Sequence, residues 1–377
     1  MTRILAAAAL LACVACGTPP GEITEPGPDA AAAARDSAFV AALRARLAAD
    51  TEADQFSGAV LVTRDGRTLF EGAYGFADRE RRVPNTPLTQ FRVGSMYKMV
   101  TAVATLQLVQ AGALRLDAPL GTYLPDYPNA DVASRVTPHH LLTHTGGTGD
   151  IFGPLFTANR AELRTTGDYL RLYGTRGLQF APGAQHVYSN YGFMLLGALV
   201  ERVGGTRYDD HVAARVLAPA GMTATGTAPE DSLVPGRAVG YMRQGSGALV
   251  SNAPTLPYRG TPAGGGYSTV GDFARFAEAV RERRLLDPAH TALLLGGKVP
   301  VGPGLQYAYG FQDRVVFGRR VVGHGGGAAG MNGELAFEPD GGYVVVVLSN
   351  FDPPAAGRVA SFILERLPAP TPAAGGR

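Results

Sequence analysis

Strand-like segments lie at both ends of this chain, and a largely helical stretch separates them. Near the N-terminus, residues 59–62 and 68–71 flank Asp65-Gly66, a dipeptide typical of a tight hairpin turn. Near the C-terminus, residues 333–349 form a second candidate hairpin. Within it, residues 344–348 are apolar throughout, as expected for a strand that is covered on both faces. A sheet assembled from both ends of the chain, with a helical insertion, is therefore the simplest layout.

The stretch 91–110 combines a helical pattern with reactive side chains. After Gly94, apolar residues recur at the three-and-four spacing of a buried helix face. Ser95 and Lys98 open this helix and lie on the same side of its first turn, where an amine can reach a hydroxyl. Free N–H groups and the positive end of the helix dipole favour an oxyanion at the same place. Serine is also a common helix cap, so the spacing alone does not establish a site.

The use of lysine favours a catalytic interpretation of this pair. All but two of the 34 Lys and Arg residues are arginines, and the two lysines are Lys98 and Lys298. Arginine keeps its proton in a protein, whereas a desolvated lysine can lose it. A lysine beside Ser95 therefore indicates a neutral amine that acts as a base.

Two polar residues precede an apolar helix in the middle of the chain. These are Tyr188 and Asn190. A phenol can carry a proton between a nucleophile and a leaving group, and an amide can hold a substrate carbonyl or a neighbouring lysine. The alternative is a simple turn in which Asn190 caps the helix.

A glycine-rich segment near the C-terminus is a candidate wall of a cleft. His324 is followed by Gly325, Gly326 and Gly327, with strand-like residues on both sides. Glycines let the backbone approach a ligand closely and leave its N–H groups accessible, so this segment is a candidate second oxyanion donor. The alternative is a flexible hairpin turn.

Two histidines on a short helix suggest a metal site at first sight. His140 and His144 have the spacing of zinc ligands, but Leu141 occupies the position where the corresponding motif carries glutamate. We therefore expect these histidines to brace the core or a loop, and we expect no metal.

Taken in order, three segments resemble the penicillin-recognising serine hydrolases. The likeness is greatest to the group that holds class C β-lactamases, their esterase relatives and D-alanyl-D-alanine carboxypeptidases. It extends over residues 38–367, with further similar segments at 116–127, 140–147 and 263–276. The three motifs are Ser95-Met96-Tyr97-Lys98, Tyr188-Ser189-Asn190 and His324-Gly325-Gly326.

This resemblance implies an α+β fold for residues 36–368. An antiparallel sheet flanked by helices would occupy one lobe, at about 36–114 and 261–368. An all-helical second lobe would occupy about 115–260, and the active site would lie between the two lobes.

The resemblance also implies roles for individual residues. Ser95 would be the nucleophile that forms an acyl-enzyme, with Lys98 as its neutral base and Tyr188 as the proton shuttle. The N–H groups of Ser95 and Gly327 would bind the oxyanion. No metal or cofactor is required. The remaining expected substrate contacts are Asn190, His324, Gly325 and Gly326.

One departure from the family affects the expected substrate. Where β-lactamases carry Lys-Thr-Gly, this chain has His324-Gly325-Gly326, and so it lacks a permanent cation and a hydroxyl that would hold a substrate carboxylate. We therefore expect an exported hydrolase of esters or small peptides, of the esterase or D-amino-acid peptidase type. The alternatives are a true β-lactamase and a non-catalytic ligand-binding lipoprotein. A Ser-His-Asp esterase has little support, because Val93 and Tyr97 replace the glycines that such an enzyme needs around its serine.

The N-terminal residues indicate export. One arginine precedes the apolar run 4–15, which is too short to span a bilayer and fits a signal peptide over residues 1–16. Lipidation at Cys16 is preferred to lipidation at Cys13, because it leaves no unpaired thiol in an oxidising compartment. A periplasmic protein anchored by lipid to the outer membrane is the expected product.

The remaining expectations concern the chain ends and possible partners. Residues 17–35 are rich in Pro, Ala and Gly and predict a flexible tether, and residues 369–377 predict a disordered tail. The net charge is only +2 and there is no basic run, which argues against nucleic-acid binding. The expected partners are a membrane and a small ester, peptide or β-lactam substrate.

Overall fold

An eight-stranded antiparallel sheet dominates the computed structural model, which describes residues 28–368. The strands are β1 Gly58–Arg64, β2 Arg67–Tyr74, β3 Phe76–Asp78, β4 Val83–Pro84, β5 Phe91–Arg92, β6 Tyr241–Arg243, β7 Leu249–Ser251, β8 Tyr267–Ser268, β9 Val299–Gly302, β10 Leu305–Tyr307, β11 Gln312–Val316, β12 Arg319–Ala328, β13 Met331–Phe337 and β14 Tyr343–Ser349. The order in the large sheet is β2-β1-β14-β13-β12-β11-β10-β9.

Helices cover the sheet and form a separate group beside it. They are α1 Pro28–Glu52, α2 Tyr97–Gln110, α3 Ala130–Arg135, α4 Pro138–Leu142, α5 Pro154–Asn159, α6 Thr166–Tyr173, α7 Asn190–Gly204, α8 Tyr208–Val212, α9 Ala218–Ala220, α10 Val270–Arg281, α11 Pro288–Leu295 and α12 Ala355–Arg366. Short 3₁₀ turns lie at Gly94–Met96, Leu120–Thr122 and Ala253–Thr255, and a π turn lies at Ala213–Leu217.

The two ends of the chain meet in the sheet, as the sequence predicts. Asp65 and Gly66 join β1 to β2, and both have the positive φ angles, 51° and 73°, that a tight hairpin turn requires. β14 lies between β1 and β13, so a C-terminal strand pairs directly with an N-terminal one. The predicted α+β fold with an antiparallel sheet is confirmed.

β14 is buried on both faces of the sheet. Val345 and Val347 belong to the core that α1 and α12 complete, whereas Val344, Val346 and Leu348 belong to the core that includes α2 and α10. Because alternate residues of a strand point to opposite faces, both faces must be covered to bury the whole apolar run.

α2 is the central helix of the molecule. Its residues Val100, Val103 and Leu106 are fully buried between the sheet and α7. A helix surrounded in this way provides a rigid support for the residues of its first turn.

The helical region is shorter than the predicted 115–260. α3 to α9 extend only to Ala220, and residues 221–260 contain loops and the β6–β7 hairpin. Tyr241 in this hairpin is fully buried and pairs with Phe351, just beyond β14. Backbone pairing with the sheet side of the molecule therefore replaces helix in this segment.

The first helix begins earlier than expected. α1 starts at Pro28, so residues 28–35, which were predicted to be part of a tether, are helical. A proline in the first turn followed by an alanine-rich run favours a helix, and this explains the difference.

The predicted signal peptide, Cys16, the rest of the tether and the tail at 369–377 lie outside the described residues. Among the helices of residues 28–368, none has the length and hydropathy that a bilayer span requires.

Candidate active site

Ser95 lies in the 3₁₀ turn Gly94–Met96, directly before α2, and is half-buried. Gly94 has a positive φ of 52°, and a Cβ atom placed there would lie 3.0 Å from the nitrogen of Gly327. Glycine at this position therefore allows the serine turn to approach β12 closely.

Lys98 is completely buried in the first turn of α2. Its Nζ lies 3.3 Å from Ser95 Oγ and 2.7 Å from Asn190 Oδ1, and it also contacts the carbonyl oxygen of Ala263. A neutral amine has two N–H bonds and one lone pair. Because the two carbonyl oxygens accept both N–H bonds, the lone pair is left to face Ser95 Oγ.

The environment of Lys98 favours this neutral form. Burial lowers the pKa of Lys98 to about 7, although the Asp150 carboxylate opposes part of that change. A substantial fraction of the side chain is therefore neutral at pH 7, as a general base for Ser95 requires.

Asp150 fixes the orientation of Asn190. Its Oδ1 accepts from the backbone N–H of Asn190 at 2.9 Å, and its Oδ2 accepts from Asn190 Nδ2 at 3.2 Å. The amide oxygen of Asn190 must then face Lys98. Ser189, rather than Asn190, caps α7, since its hydroxyl accepts from Gly192 N–H at 2.9 Å. The sequence analysis did not identify Asp150; its place just after the 140–147 segment was the available signal.

Tyr188 lies between Lys98 and His324. Lys98 Nζ is 4.8 Å from the centre of the Tyr188 ring. Burial raises the pKa of the Tyr188 phenol, and contact with the Ser95 hydroxyl opposes part of this rise. Tyr188 therefore remains protonated at neutral pH, which suits a proton donor better than an initial base.

Gly326 and Gly327 bring β12 against the serine turn. A Cβ atom on Gly326 would lie 2.0 Å from the carbonyl oxygen of Val93, a distance that no larger residue can accommodate without a backbone shift. The Gly326 carbonyl accepts from Asn332 Nδ2 at 2.8 Å, which fixes this part of the strand. Gly327 and Ser95 consequently line the same pocket.

The structure does not place His324 for contact with a substrate. It is 3% exposed. Its Nε2 lies 2.9 Å from the hydroxyl of Tyr307, and its Nδ1 contacts the carbonyl of Gly325. Burial, followed by the charge of Lys98, lowers its pKa to about 3. Both ring nitrogens of His324 are therefore engaged within the protein, and the ring does not line the pocket beside Ser95.

A small apolar pocket of about 130 Å³ adjoins Ser95. Asn190 and Gly327 contribute polar groups beside the serine. Among the described residues that line this pocket, none is lysine or arginine. A larger, open groove of about 600 Å³ lies beyond Tyr169 and Thr261 and does not include Ser95. The apolar lining of the smaller pocket includes Ile151, Phe152, Phe156, Leu256, Pro257, Ala328 and Met331.

The two histidines with zinc-like spacing have separate partners. His140 Nδ1 lies 3.1 Å from the hydroxyl of Thr137 at the start of α4, whereas His144 contacts Tyr307 and Ser189. Within residues 28–368 there is no group of three His, Cys, Asp or Glu side chains arranged to hold a metal ion. Both histidines are therefore bracing residues in this fold.

Comparisons with known proteins agree with the resemblance predicted from the motifs. The family model named Beta-lactamase matches residues 40–368. The chain is 34% identical to the esterase EstB of Burkholderia gladioli over 318 residues, which cover 74% of this chain and 79% of the esterase. It is 28% identical to a D-aminopeptidase of Gluconobacter oxydans over 87% of this chain and 60% of that protein. The crystal structure of a penicillin-binding protein from Bacillus halodurans superposes with a TM-score of 0.78 at 33% identity, covering 84% of this chain and 99% of that one.

Proposed function

The chain belongs to the beta-lactamase family of serine hydrolases, and on that premise we propose that Ser95 forms an acyl-enzyme with esters of small apolar acyl groups. One observation carries this proposal. Lys98 Nζ contacts the carbonyl oxygens of Asn190 and Ala263 and lies 3.3 Å from Ser95 Oγ, so that in the neutral amine the two oxygens take both N–H bonds and the lone pair remains for Ser95. This is the arrangement that removes a proton from a serine hydroxyl.

The acylation step follows from these contacts. Lys98 accepts the proton as Ser95 Oγ bonds to the ester carbonyl carbon, and the resulting oxyanion accepts from the N–H groups of Ser95 and Gly327. Collapse of the intermediate breaks the bond to the leaving alcohol. The proton then passes from Lys98 through the phenol of Tyr188 to the leaving oxygen, which departs as a neutral alcohol.

Deacylation reverses the same transfers. A water molecule loses its proton to the Tyr188–Lys98 pair as its oxygen attacks the acyl carbon. The acyl–Oγ bond breaks, the proton returns to Ser95, and the carboxylic acid is released. No group outside the described residues is needed for these transfers.

The pocket favours a neutral, apolar acyl group. It offers apolar contacts from Phe152, Phe156 and Met331, and none of the described residues that line it is a cation that would bind a substrate carboxylate. His324 is neutral and buried, so it does not replace that cation. These features argue against β-lactams and D-alanyl-D-alanine peptides, both of which carry a carboxylate.

Amides of D-amino acids are a second candidate substrate class. The likeness to a D-aminopeptidase covers 87% of this chain, and amide cleavage uses the same acyl-enzyme chemistry. The leaving group would then be an amine, which Tyr188 would protonate.

A substrate panel tests this proposal. p-Nitrophenyl butyrate, D-phenylalanine amide, nitrocefin and a D-alanyl-D-alanine peptide are each incubated with the protein and with Ser95→Ala. We expect Ser95-dependent hydrolysis of the ester with kcat/KM about 100-fold or more above that of nitrocefin, since a missing charge partner costs about 2–4 kcal/mol. Hydrolysis of nitrocefin that equals or exceeds ester hydrolysis would contradict the proposed substrate class.

Export with a lipid anchor at Cys16 is a separate proposal. It is supported only by the sequence of residues 1–16, which lie outside the described residues. The mass of the protein isolated from its native membrane tests it. A diacylglycerol on Cys16 is expected at the new N-terminus, and a mature protein without lipid would contradict the anchor.

A further inference from the structure

A buried chain of hydrogen bonds connects the two walls of the cleft behind Ser95. His144 Nδ1 lies 3.1 Å from the backbone nitrogen of Ser189, and His144 Nε2 lies 2.9 Å from the hydroxyl of Tyr307. The same hydroxyl lies 2.9 Å from His324 Nε2, and His324 Nδ1 contacts the carbonyl oxygen of Gly325. The chain therefore runs from the helical side of the molecule, through the end of β10, to β12.

The end groups of this chain fix the position of every proton in it. The backbone N–H of Ser189 can only donate, so His144 Nδ1 must accept and His144 Nε2 must carry the proton. The carbonyl of Gly325 can only accept, so the proton of His324 is on Nδ1 and its Nε2 accepts from Tyr307. The hydroxyl of Tyr307 thus accepts from one histidine and donates to the other. As neutral rings, the two imidazoles therefore have opposite tautomers.

The surroundings preserve this neutral arrangement. His144, Tyr307 and His324 are 1%, 2% and 3% exposed, respectively. Burial and the nearby charge of Lys98 lower the pKa of both histidines. Protonation of His144 would turn a second N–H towards Ser189 N–H and break the chain. The other titratable neighbours of the two rings are His186, Tyr188 and Arg314.

The two ends of this hydrogen-bond chain lie beside groups that act at Ser95. Ser189 lies between Tyr188 and Asn190, and the ring of His144 lies 4.2 Å from the ring of Tyr188, centre to centre. At the other end, His324 precedes Gly327 by three residues on β12. The chain therefore connects the wall that holds the phenol and the amide to the wall that holds the second oxyanion donor.

We propose that His144 and Tyr307 are positioning residues which, together with His324, hold the Tyr188–Asn190 turn and β12 at the separation that the Ser95 reaction requires. Neither residue needs to contact the substrate. The inference rests on the proposed function of Ser95, because it assigns these residues a role in that reaction.

The tautomers provide a test that does not depend on turnover. Long-range ¹⁵N–¹H spectra of the full protein labelled at histidine distinguish protonated from unprotonated ring nitrogens. We expect His144 as the Nε2–H tautomer and His324 as the Nδ1–H tautomer, with both rings neutral at pH 6. A protonated ring at pH 6, or the same tautomer for both residues, would overturn the proposed chain.

Tyr307→Phe tests the positioning role, and Tyr309→Phe is its matched control. Tyr309 is similarly buried, and its hydroxyl lies 2.8 Å from His139 Nδ1, so its loss removes the same kind of bond outside the chain. We expect kcat for p-nitrophenyl butyrate to fall about 10-fold or more in Tyr307→Phe with KM changed by less than about 2-fold, because misplaced reacting groups mainly slow the chemical step. Tyr309→Phe is expected to keep its kcat.

The outcomes separate this inference from the proposed function. Unchanged kcat in Tyr307→Phe, or an equal loss of kcat in Tyr309→Phe, would overturn the positioning role while leaving Ser95 as the nucleophile. Wild-type protein without Ser95-dependent hydrolysis would instead overturn the proposed function. The tautomer spectra would still test the hydrogen-bond chain from His144 to His324, because they do not depend on turnover.

Two substitutions of His144 address the case in which Tyr307→Phe does not fold. His144→Asn retains an acceptor for Ser189 N–H, whereas His144→Gln retains a donor for Tyr307. Only histidine spans both partners, so we expect each variant to lose about 10-fold in kcat. Full kcat in either variant would show that one contact is sufficient and would overturn the continuous chain.

Discussion

At the scale of single residues, the site depends on one buried lysine. Lys98 is desolvated by the core and held by Asn190 and Ala263, so its fixed neighbours favour a neutral amine directed at Ser95. A buried amine is normally unfavourable in a folded protein. Here the same burial lowers the pKa of Lys98 to about 7, which is what the proposed base requires.

The pH dependence of ester hydrolysis tests this role of Lys98. Because the pKa of Lys98 is lowered to about 7, its neutral fraction falls as the pH drops below that value. We expect kcat/KM to decline on an acid limb centred near pH 7, instead of near the value of about 10.4 for free lysine. A limb near pH 10 would contradict the assigned base.

The variant Lys98→Arg tests the same role of Lys98 by substitution. Arginine keeps the positive charge but does not release its proton, so we expect a loss of about 1,000-fold or more in kcat/KM. Near-normal turnover by this variant would assign the base to another group.

Sequence reasoning named the residues that the fold brings together around Ser95, but it did not name Asp150 and Tyr307, which contact them through hydrogen bonds. Ser95 and Lys98 are predictable because their spacing is local to one helix turn and because lysine is rare in this chain. Asp150 and Tyr307 are far from those residues in sequence, and only the folded chain brings them near. His324 was predicted as a substrate contact from its motif, and its burial against Tyr307 could not be predicted because that contact forms only between strands of the folded chain.

At the scale of secondary structure elements, the contact between β12 and the serine turn sets the distance between Ser95 and Gly327, the two proposed oxyanion donors. The strand approaches so closely that Gly326 lies almost against the carbonyl of Val93. Since the turn leads into the buried helix α2, neither element can move without disturbing the core.

Gly326→Ala tests this contact, with Gly325→Ala for comparison. A Cβ atom at 326 would meet a backbone oxygen at 2.0 Å, whereas one at 325 would meet the flexible carboxylate of Glu334 at 2.7 Å. We expect Gly326→Ala to lose about 100-fold in kcat as β12 is displaced, and Gly325→Ala to lose much less. Equal effects of the two substitutions on ester hydrolysis would show that the close approach is not what matters.

The secondary structure was predictable where its signal is local. The Asp65-Gly66 turn has a recognisable hairpin sequence, and the continuous apolar run of β14 is typical of a strand covered on both faces. The short β6–β7 hairpin was not predicted; its pairs are local, and Tyr241 also forms a bridge to Phe351, which lies far away in sequence.

At the scale of the whole molecule, the sheet places the two ends of the chain side by side and leaves the helical region to form the other wall of the cleft. Its layout follows from burial, because β14 needs cover on both faces, and α12 packs on one face and α10 on the other. The pocket walls were not predictable in the same way. Ile151, Leu256 and Met331 come from three distant loops or strands, and their meeting depends on the complete fold.

The central claim is that Ser95 is a nucleophile activated within this fold. The most direct measurement is mass spectrometry of the full protein after reaction with a fluorophosphonate, in which a serine oxygen bonds to phosphorus as fluoride leaves. We predict one adduct per chain, located on the peptide that contains Ser95 and absent from Ser95→Ala. An adduct on another residue, or equal labelling of Ser95→Ala, would contradict the account.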